Sequence, residues 1–299
     1  AALEAEQFNV LAQLTGTKVI HIAERDTQIT NKPKEVNEFC NTWSVEGFYE
    51  EGIAPAELGW GTHEKWMPKN AHEHHDDGPR NQICIAQPGM ETWVRSWVPS
   101  GQNLGMVIRH GESYTMCKHL TVKNPDCTDA YRPTVHYAYH PADVAIDSVL
   151  ELRMRNWKMQ DRERILNNEI ISGRDELGVL LMGHDYKSWW TGSLLDIDEA
   201  RSILPGQSAT TLQVGGSVVA AVRWLLTYPT AGVCVPDDLL WRELLAWTRP
   251  YIGEIHSAAA DWTPLSERFD PFPGFGNDDS LLDHSDPWQF ANFLSPTPR

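Results

Sequence analysis

The sequence predicts a mixed α+β domain built on a largely antiparallel sheet with helices at its flanks. Strand-length apolar runs are grouped in the middle of the chain, at residues 82–86, 92–98 and 134–139. Helical spacing of apolar residues returns towards both ends, and residues 165–195 read as an antiparallel meander. Strands gathered in one region and helices in others are the pattern of an α+β fold.

Taken in order, residues 1–14 carry Phe8, Leu11 and Ala12 at helical spacing, and Gly16 is placed to stop that helix. Residues 18–23 form a strand whose Val19, Ile20 and Ile22 make a nearly continuous apolar run, as in a strand covered on both faces. Asn31 and Pro33 open a short helix carrying Val36, Phe39 and Cys40. Ser44 can cap the next helix, which runs to the region of Pro55. Residues 59–79 turn polar and His-rich and read as a long loop. Further strands are expected at residues 105–109 and 114–122, and a helix at 141–153 with Pro141 in its first turn. Within the meander, strands 165–171 and 177–182 are joined by a turn at Ser172-Gly173-Arg174-Asp175, and strand 187–195 follows. Helices return at 208–226 and 237–248, the second with Leu240, Leu244 and Trp247 on one stripe. After Pro264 the chain is rich in Pro, Asp and Gly and reads as an extended tail. There is no internal repeat.

The 299 residues are 41% hydrophobic, enough for a large core, and the formal charge is 25 − 41 = −16. Such a surface repels nucleic acid and anionic membranes and attracts small cations. The five cysteines, Cys40, Cys84, Cys117, Cys127 and Cys234, are odd in number and irregularly spaced. That argues against a disulfide framework and for a reducing, cytoplasmic location. Uninterrupted apolar runs stay short of membrane-spanning length, and the first residues show no basic n-region or small-residue cleavage signal.

Two segments carry chemistry. Residues 19–28 form a buried strand ending in Glu24, Arg25 and Asp26. This arrangement delivers side chains to the carboxyl edge of a sheet, where α/β enzymes place ligands; the plainer alternative is a surface ion pair at a strand end. In residues 41–51, Trp43 precedes a helix start, and Glu50 and Glu51 follow within two turns. Trp43 could offer its face to an ammonium or iminium cation; otherwise it is a core residue beside a solvated helix face. Gly47, a poor helix former, suits a close approach.

Together, His21-Ile22-Ala23-Glu24-Arg25-Asp26-Thr27-Gln28, Asn41-Thr42-Trp43-Ser44 and Arg109-His110-Gly111-Glu112-Ser113 resemble the bacterial homospermidine synthases of the saccharopine-dehydrogenase-like superfamily. Gly232-Val233-Cys234-Val235-Pro236 resembles that superfamily's closing segment, and the likeness spans most of residues 1–270. The resemblance implies an NAD-dependent enzyme that condenses two putrescines, or putrescine with spermidine, to homospermidine. Ammonia or diaminopropane is released, and NAD is reduced and reoxidised within one cycle. It implies that Glu24 and Glu51 hold the diamine's ammonium groups and that Trp43 stabilises the iminium. It places His110 at the reacting carbon, with His110 and Glu24 beside the nicotinamide, and Asp175 at the entrance. It also implies a homodimer paired through its sheet. Residues 1–235 would form the substrate-binding, catalytic and dimerisation domain. Residues 236–270 would be a helical segment packing on an NAD-binding domain, and 271–299 a Pro/Asp-rich tail.

The residue types suit these roles. A carboxylate near an ammonium anchors it, more strongly in a dry pocket. A histidine can exchange protons near neutral pH, though from residue type alone His110 reads as a satisfied strand-end histidine. Asp175 equally suits the geometry of the turn. One departure concerns the cofactor: no GxGxxG occurs, and Gly215-Gly216 lies inside a helix, where it permits close packing. A chain that starts in mid-pattern without an initiator Met reads as part of a longer polypeptide.

The segment His72-Glu73-His74-His75-Asp76-Asp77, with His63 upstream, has zinc-like ligands but lies in a polar stretch without HExxH spacing. The expectation is adventitious metal or none. Neither GxSxG nor a cysteine-nucleophile motif occurs. The competing readings are an NAD(P) oxidoreductase of the saccharopine type, whose pocket would need Arg for carboxylates, a metal-dependent hydrolase, and a non-catalytic assembly module.

Overall fold

The computed structural model describes residues 7–74, 80–269 and 282–295. The chain opens with α1 (Phe8–Thr15), closed by Gly16 at φ 79°, and enters β1 (Val19–Asp26). Then come β2 (Ile29–Thr30), β3 (Glu38–Asn41), α2 (Val45–Ile53), β4 (Pro55–Gly59), β5 (Ala71–His74), β6 (Gln82–Pro88), β7 (Trp93–Val98) and β8 (Gly101–Met106). The middle of the chain holds α3 (Glu112–His119), β9 (Val122–Lys123), β10 (Asp129–Tyr131), β11 (Thr134–His140) and α4 (Asp143–Met154). After β12 (Arg162–Ile165) and β13 (Ile170–Ser172), β14 (Arg174–His184) and β15 (Lys187–Asp196) form the longest strand pair. The last elements are α5 (Ile197–Ile203), α6 (Ala209–Thr227), α7 (Trp241–Thr248), β16 (Glu254–Ala260) and α8 (Phe290–Phe293).

A ten-stranded sheet runs in the order β16-β15-β14-β1-β11-β4-β6-β5, with β8 also on β11 and β7 on β8. The β1–β11 pair is parallel and the other pairs of this sheet are antiparallel. This is the mixed, largely antiparallel sheet with flanking helices that the sequence predicts. Side chains alternate across a strand, so β1 divides its residues between two cores. Val19 and Ala23 join Leu180, Met182 and Trp190 on one face. Ile20 and Ile22 join Phe39, Phe48, Val149 and Leu152 on the other.

Several expectations are corrected. Residues 31–40 do not form a helix: Asn37 takes φ 60°, and β3 pairs in parallel with β12, burying Phe39 and Cys40. Tyr114, Thr115 and Val122 suggest a strand over residues 114–122, but α3 occupies most of them. Ser113 and Cys117, four apart, turn inward, and Gly59 admits them, since a Cβ there would lie 2.3 Å from the Ser113 carbonyl oxygen. The expected loop at 59–79 contains β5, paired with β6. The strand expected at 105–109 lies earlier, as β8. The meander reduces to β14 and β15, because β12 pairs with β3 and β13 with β2. Asp175 therefore lies within β14 and not in a turn. Gly173 makes the bend at φ 104°, where a Cβ would meet the Thr27 carbonyl oxygen at 2.2 Å.

The region 236–270, expected to be helical, contributes α7 but also β16, which pairs with β15 through seven residues from Glu254 to Ala260. Of the expected tail, residues 282–295 are packed: Trp288, Phe290 and Phe293 are buried, the two phenylalanines against His21, His136 and Trp60. Glu64 accepts from the Phe290 N–H at 3.0 Å and Lys18 pairs with Asp286 at 3.1 Å. Three large apolar residues outweigh the local Pro/Asp composition. The 19-residue α6 is long and apolar enough to cross a membrane by length and composition, contrary to the expectation of only short apolar runs. Its Leu212, Gly216, Ala220 and Trp224 are buried on the fold, and Gly216 lets Tyr251 approach.

Candidate active site

The carboxyl end of β1 assembles the site. Alternation puts Glu24 and Asp26 on the same face, and the register sets Tyr139 of β11 beside Glu24 and Asp175 of β14 beside Asp26. Three acids are thus gathered on one buried face, which is costly for charged groups without compensating partners.

Their partners differ. The Tyr137 hydroxyl donates to Glu24 Oε2 at 2.5 Å. Burial raises the Glu24 pKa from 4.5 to about 7, opposed by that hydrogen bond, with Asp26 and Glu51 raising it further and His110 lowering it. Asp26 is well satisfied, accepting from the Thr42 hydroxyl at 2.5 Å, the Gln28 N–H at 2.8 Å, the Gln28 amide at 3.0 Å and the Thr210 hydroxyl at 3.2 Å. Asp175 is fully buried, and neither carboxyl oxygen has a hydrogen-bond partner of good geometry. Burial, then Glu24 and Asp26, push its pKa well up; Thr210, whose hydroxyl is directed at Asp26, relieves it only in part.

Trp43 follows Thr42 and leads into the N-cap of α2, where Ser44 accepts from the Gly47 N–H at 3.0 Å. The indole N–H donates to the Tyr139 hydroxyl at 2.8 Å, and the ring packs on Phe48 with centroids 5.6 Å apart. A Cβ at Gly47 would lie 3.2 Å from the indole Cζ3, so glycine lets the helix close against this ring. The neighbours at Gly47 are the Trp43 and Ser44 side chains, not the ligand or neighbouring backbone that a glycine there suggests.

His110, between β8 and α3, is held from both sides. Its Nε2 lies 3.2 Å from Glu51 Oε2 and its Nδ1 3.2 Å from Glu112 Oε2. Its ring lies on Tyr137, with centroids 4.4 Å apart at 32°. Burial pulls the His110 pKa down, but Glu112 and Glu51 overcome this and raise it to about 10. His110 in turn holds Glu112 below the ordinary range. At neutral pH His110 is therefore an imidazolium donating from both nitrogens, while Glu24 titrates near neutrality.

The structure thus brings Glu24, Glu51 and His110 together through Tyr137, with Trp43 joined through Tyr139. Asp175 adjoins this cluster from its buried side, beside Asp26, and does not stand at an entrance. The sequence reading missed Tyr137, Tyr139 and Thr210, and it quoted Glu112, Thr42 and Gln28 within motifs without giving them a role. The two tyrosines, spaced by two on a predicted strand, share a face, a signal that could have flagged them. Cavities of about 130 Å³ beside Cys117 and Arg132 and about 300 Å³ beside Trp97 and Trp262 lie apart from this cluster.

His72, Glu73 and His74 lie on β5, contrary to the expectation that no strand fixes them; His75, Asp76 and Asp77 lie outside the described residues. Among the described residues, no three His, Cys, Asp or Glu side chains gather to hold a metal. Nor do the helix starts at Ser44 and Ser208 offer a pyrophosphate cradle, since each serine caps its own helix. The residues beside Glu24 and His110 suit the cationic nicotinamide end of NAD, not its phosphates.

The family model for the saccharopine dehydrogenase C-terminal domain matches residues 4–261. Homospermidine synthase from Mesorhizobium japonicum is 46% identical over 293 residues, and that from Blastochloris viridis 48% over 291. Each match covers 97% of this chain and 59% of the relative, so the chain spans about three fifths of their length. The crystal structure of homospermidine synthase from Legionella pneumophila in complex with NAD superposes with a TM-score of 0.92 at 42% identity, covering 99% of this chain and 63% of that one.

Proposed function

Because the chain belongs to the saccharopine dehydrogenase C-terminal domain family, we propose that it is the diamine-binding part of a homospermidine synthase. One observation carries this reading. Glu24, Asp26 and Asp175 share a buried face next to Trp43 and Glu51, and among the described residues no Lys or Arg is ion-paired to any of the three. Such a site favours a cation. A saccharopine-type substrate carries carboxylates and would need the opposite charge.

Glu24 and Glu51 anchor ammonium groups by charge-assisted hydrogen bonds. With a pKa of about 7, Glu24 can also take the proton that an ammonium must lose before its carbon is oxidised. Trp43 offers a face to positive charge developing at that carbon without acting as a nucleophile, an attraction of roughly 2 kcal/mol when desolvated. His110, fixed as a cation between Glu51 and Glu112, orients those carboxylates and does not shuttle protons. His110 and Glu24 would lie beside the nicotinamide of NAD, which when bound would supply hydride acceptance and return. Two putrescines then balance against one homospermidine and one ammonia.

Other parts of the reading concern assembly. At the sheet's end β16 pairs only with β15 among the described residues, which suits pairing with a second copy in a homodimer. The exposed Val214, Val218, Val222 and Leu225 of α6, beside α7, suit packing against a nucleotide-binding unit. The five free cysteines fit a cytoplasmic location.

The test incubates the complete protein with putrescine and NAD. Homospermidine and ammonia should form in equal amounts without accumulating NADH. No product, or NADH rising with each turnover, would reject the proposal.

A further inference from the structure

We propose that Tyr137 is a positioning residue for Glu24, committing one carboxylate oxygen and leaving the other to the substrate, while its ring backs the His110 imidazole. This rests on the reading of Glu24 as the group that anchors the diamine and takes its proton.

The geometry carries the inference. Tyr137 is buried on β11, its hydroxyl 2.5 Å from Glu24 Oε2 and its ring 4.4 Å from that of His110. The acids and other polar groups facing Glu24 come from every neighbouring element: Asp26 of β1, Tyr139 of β11, Asp175 of β14, Glu51 of α2 and His110 before α3. Against these, Tyr137 alone makes a hydrogen bond to the Glu24 side chain among the described residues. Burial, then the charge of Glu24, keep the phenol protonated far above its ordinary range, so the hydroxyl donates to Oε2 whenever Glu24 is a carboxylate.

Two consequences follow for the chemistry. With Oε2 occupied, the proton that Glu24 gains or loses resides on Oε1, which selects the lone pair that meets the ammonium. The same ring is a flat wall for the cationic imidazole, so one side chain sets the spacing between the group that takes a proton and the group that stays charged. Tyr139 acts elsewhere, since its hydroxyl accepts from Trp43 and so orients the indole.

The test is Tyr137→Phe, which removes the hydroxyl and keeps the ring. Glu24 is followed by carboxyl-carbon NMR in protein labelled at glutamate, its resonance identified by its loss in Glu24→Gln. Because the hydrogen bond holds the Glu24 pKa down, its titration should move to higher pH in Tyr137→Phe by roughly one unit. In the complete protein the limb of the kcat/KM profile set by Glu24 should move by the same amount. The titration reads the link whether or not the protein makes homospermidine, so loss of the functional reading is told apart from loss of this one. An unmoved titration, or a moved titration with an unmoved rate limb in an active enzyme, overturns the proposal. Should Tyr137→Phe fold poorly, Tyr137→Leu, which also lacks any side-chain donor and is smaller, serves in its place. In a Glu24→Gln background the Tyr137 substitution should shift the rate profile no further; a further shift there also overturns it.

Discussion

Replacing Glu24 by Gln removes a charge from a buried position while keeping an oxygen to accept the Tyr137 hydroxyl. Glu24 titrates at about 7 in the fold against 4.5 ordinarily. A group whose pKa is raised on folding binds its proton more tightly in the folded state. Its contribution is therefore fully present below about 4.5, is lost as pH rises through 7, and is gone above that. At about 1.36 kcal/mol for each tenfold in proton affinity, the loss comes to about 3 kcal/mol. Gln does not ionise and escapes this loss. Glu24→Gln should thus match the native protein near pH 4.5 and exceed it by about 3 kcal/mol at pH 8. Asp26 and Asp175 titrate in both proteins, and removal of their charged neighbour can only widen the gap. Urea unfolding at pH 5 and pH 8 measures it. In the complete protein, loss of a charge-assisted hydrogen bond of about 1.5–3 kcal/mol should lower putrescine affinity by about 10- to 150-fold. A variant both more stable and less active is the signature of an acid kept for its chemistry. If Glu24→Gln were less stable than the native protein at pH 8, the reasoning about this buried face would fail.

Other consequences follow from the same geometry. Trp43→Ala should lower turnover of the complete protein by up to about 30-fold, from roughly 2 kcal/mol of lost cation attraction, and Trp43→Phe by less; steady-state kinetics with putrescine decide it. Nitrogen NMR should find the His110 ring doubly protonated at pH 8, with its pKa near 10. Since that pKa is raised on folding, the His110 ion pairs stabilise fully below about 6.5 and weaken as pH rises towards 10. A ring found neutral at pH 8 would return proton transfer to His110. Phe293→Ala, at a fully buried position against His21 and His136, should cost about 3–5 kcal/mol in thermal or urea unfolding. A loss under about 1 kcal/mol would mean that residues 282–295 are a dispensable tail.

Much of this could be read from sequence where one physical signal dominates. The apolar run Val19, Ile20 and Ile22 marked the central strand, and Ser44 and Ser208 marked helix starts that their side chains cap. The reading failed where tertiary contacts override local preference. Tyr114 and Thr115 favour a strand, yet the space left by Gly59 admits a helix. Phe39 and Cys40 fit a helix pattern, yet pairing with a strand more than 120 residues later makes them β. For the site, Glu24 at a strand end and Trp43 at a helix start could be singled out because those termini leave marks in the sequence, and the fold brings them together through Tyr137 and Tyr139. The spacing of Tyr137 and Tyr139 puts them on one face, but which face and which partners come from the parallel register of β11 with β1, and that is not local information. The ion pair that raises the His110 pKa was also out of reach of the sequence: Glu51 lies 59 positions away, and only the fold brings it to the imidazole.

A structure of the complete protein with putrescine and NAD bound bears most directly on a cationic substrate gripped by Glu24, Glu51 and Trp43. It should place one ammonium about 3 Å from Glu24 Oε1 and a neighbouring carbon over the Trp43 ring. Putrescine found elsewhere, for example in the cavity beside Trp97 and Trp262, with Glu24 still facing only Tyr137, would contradict the account.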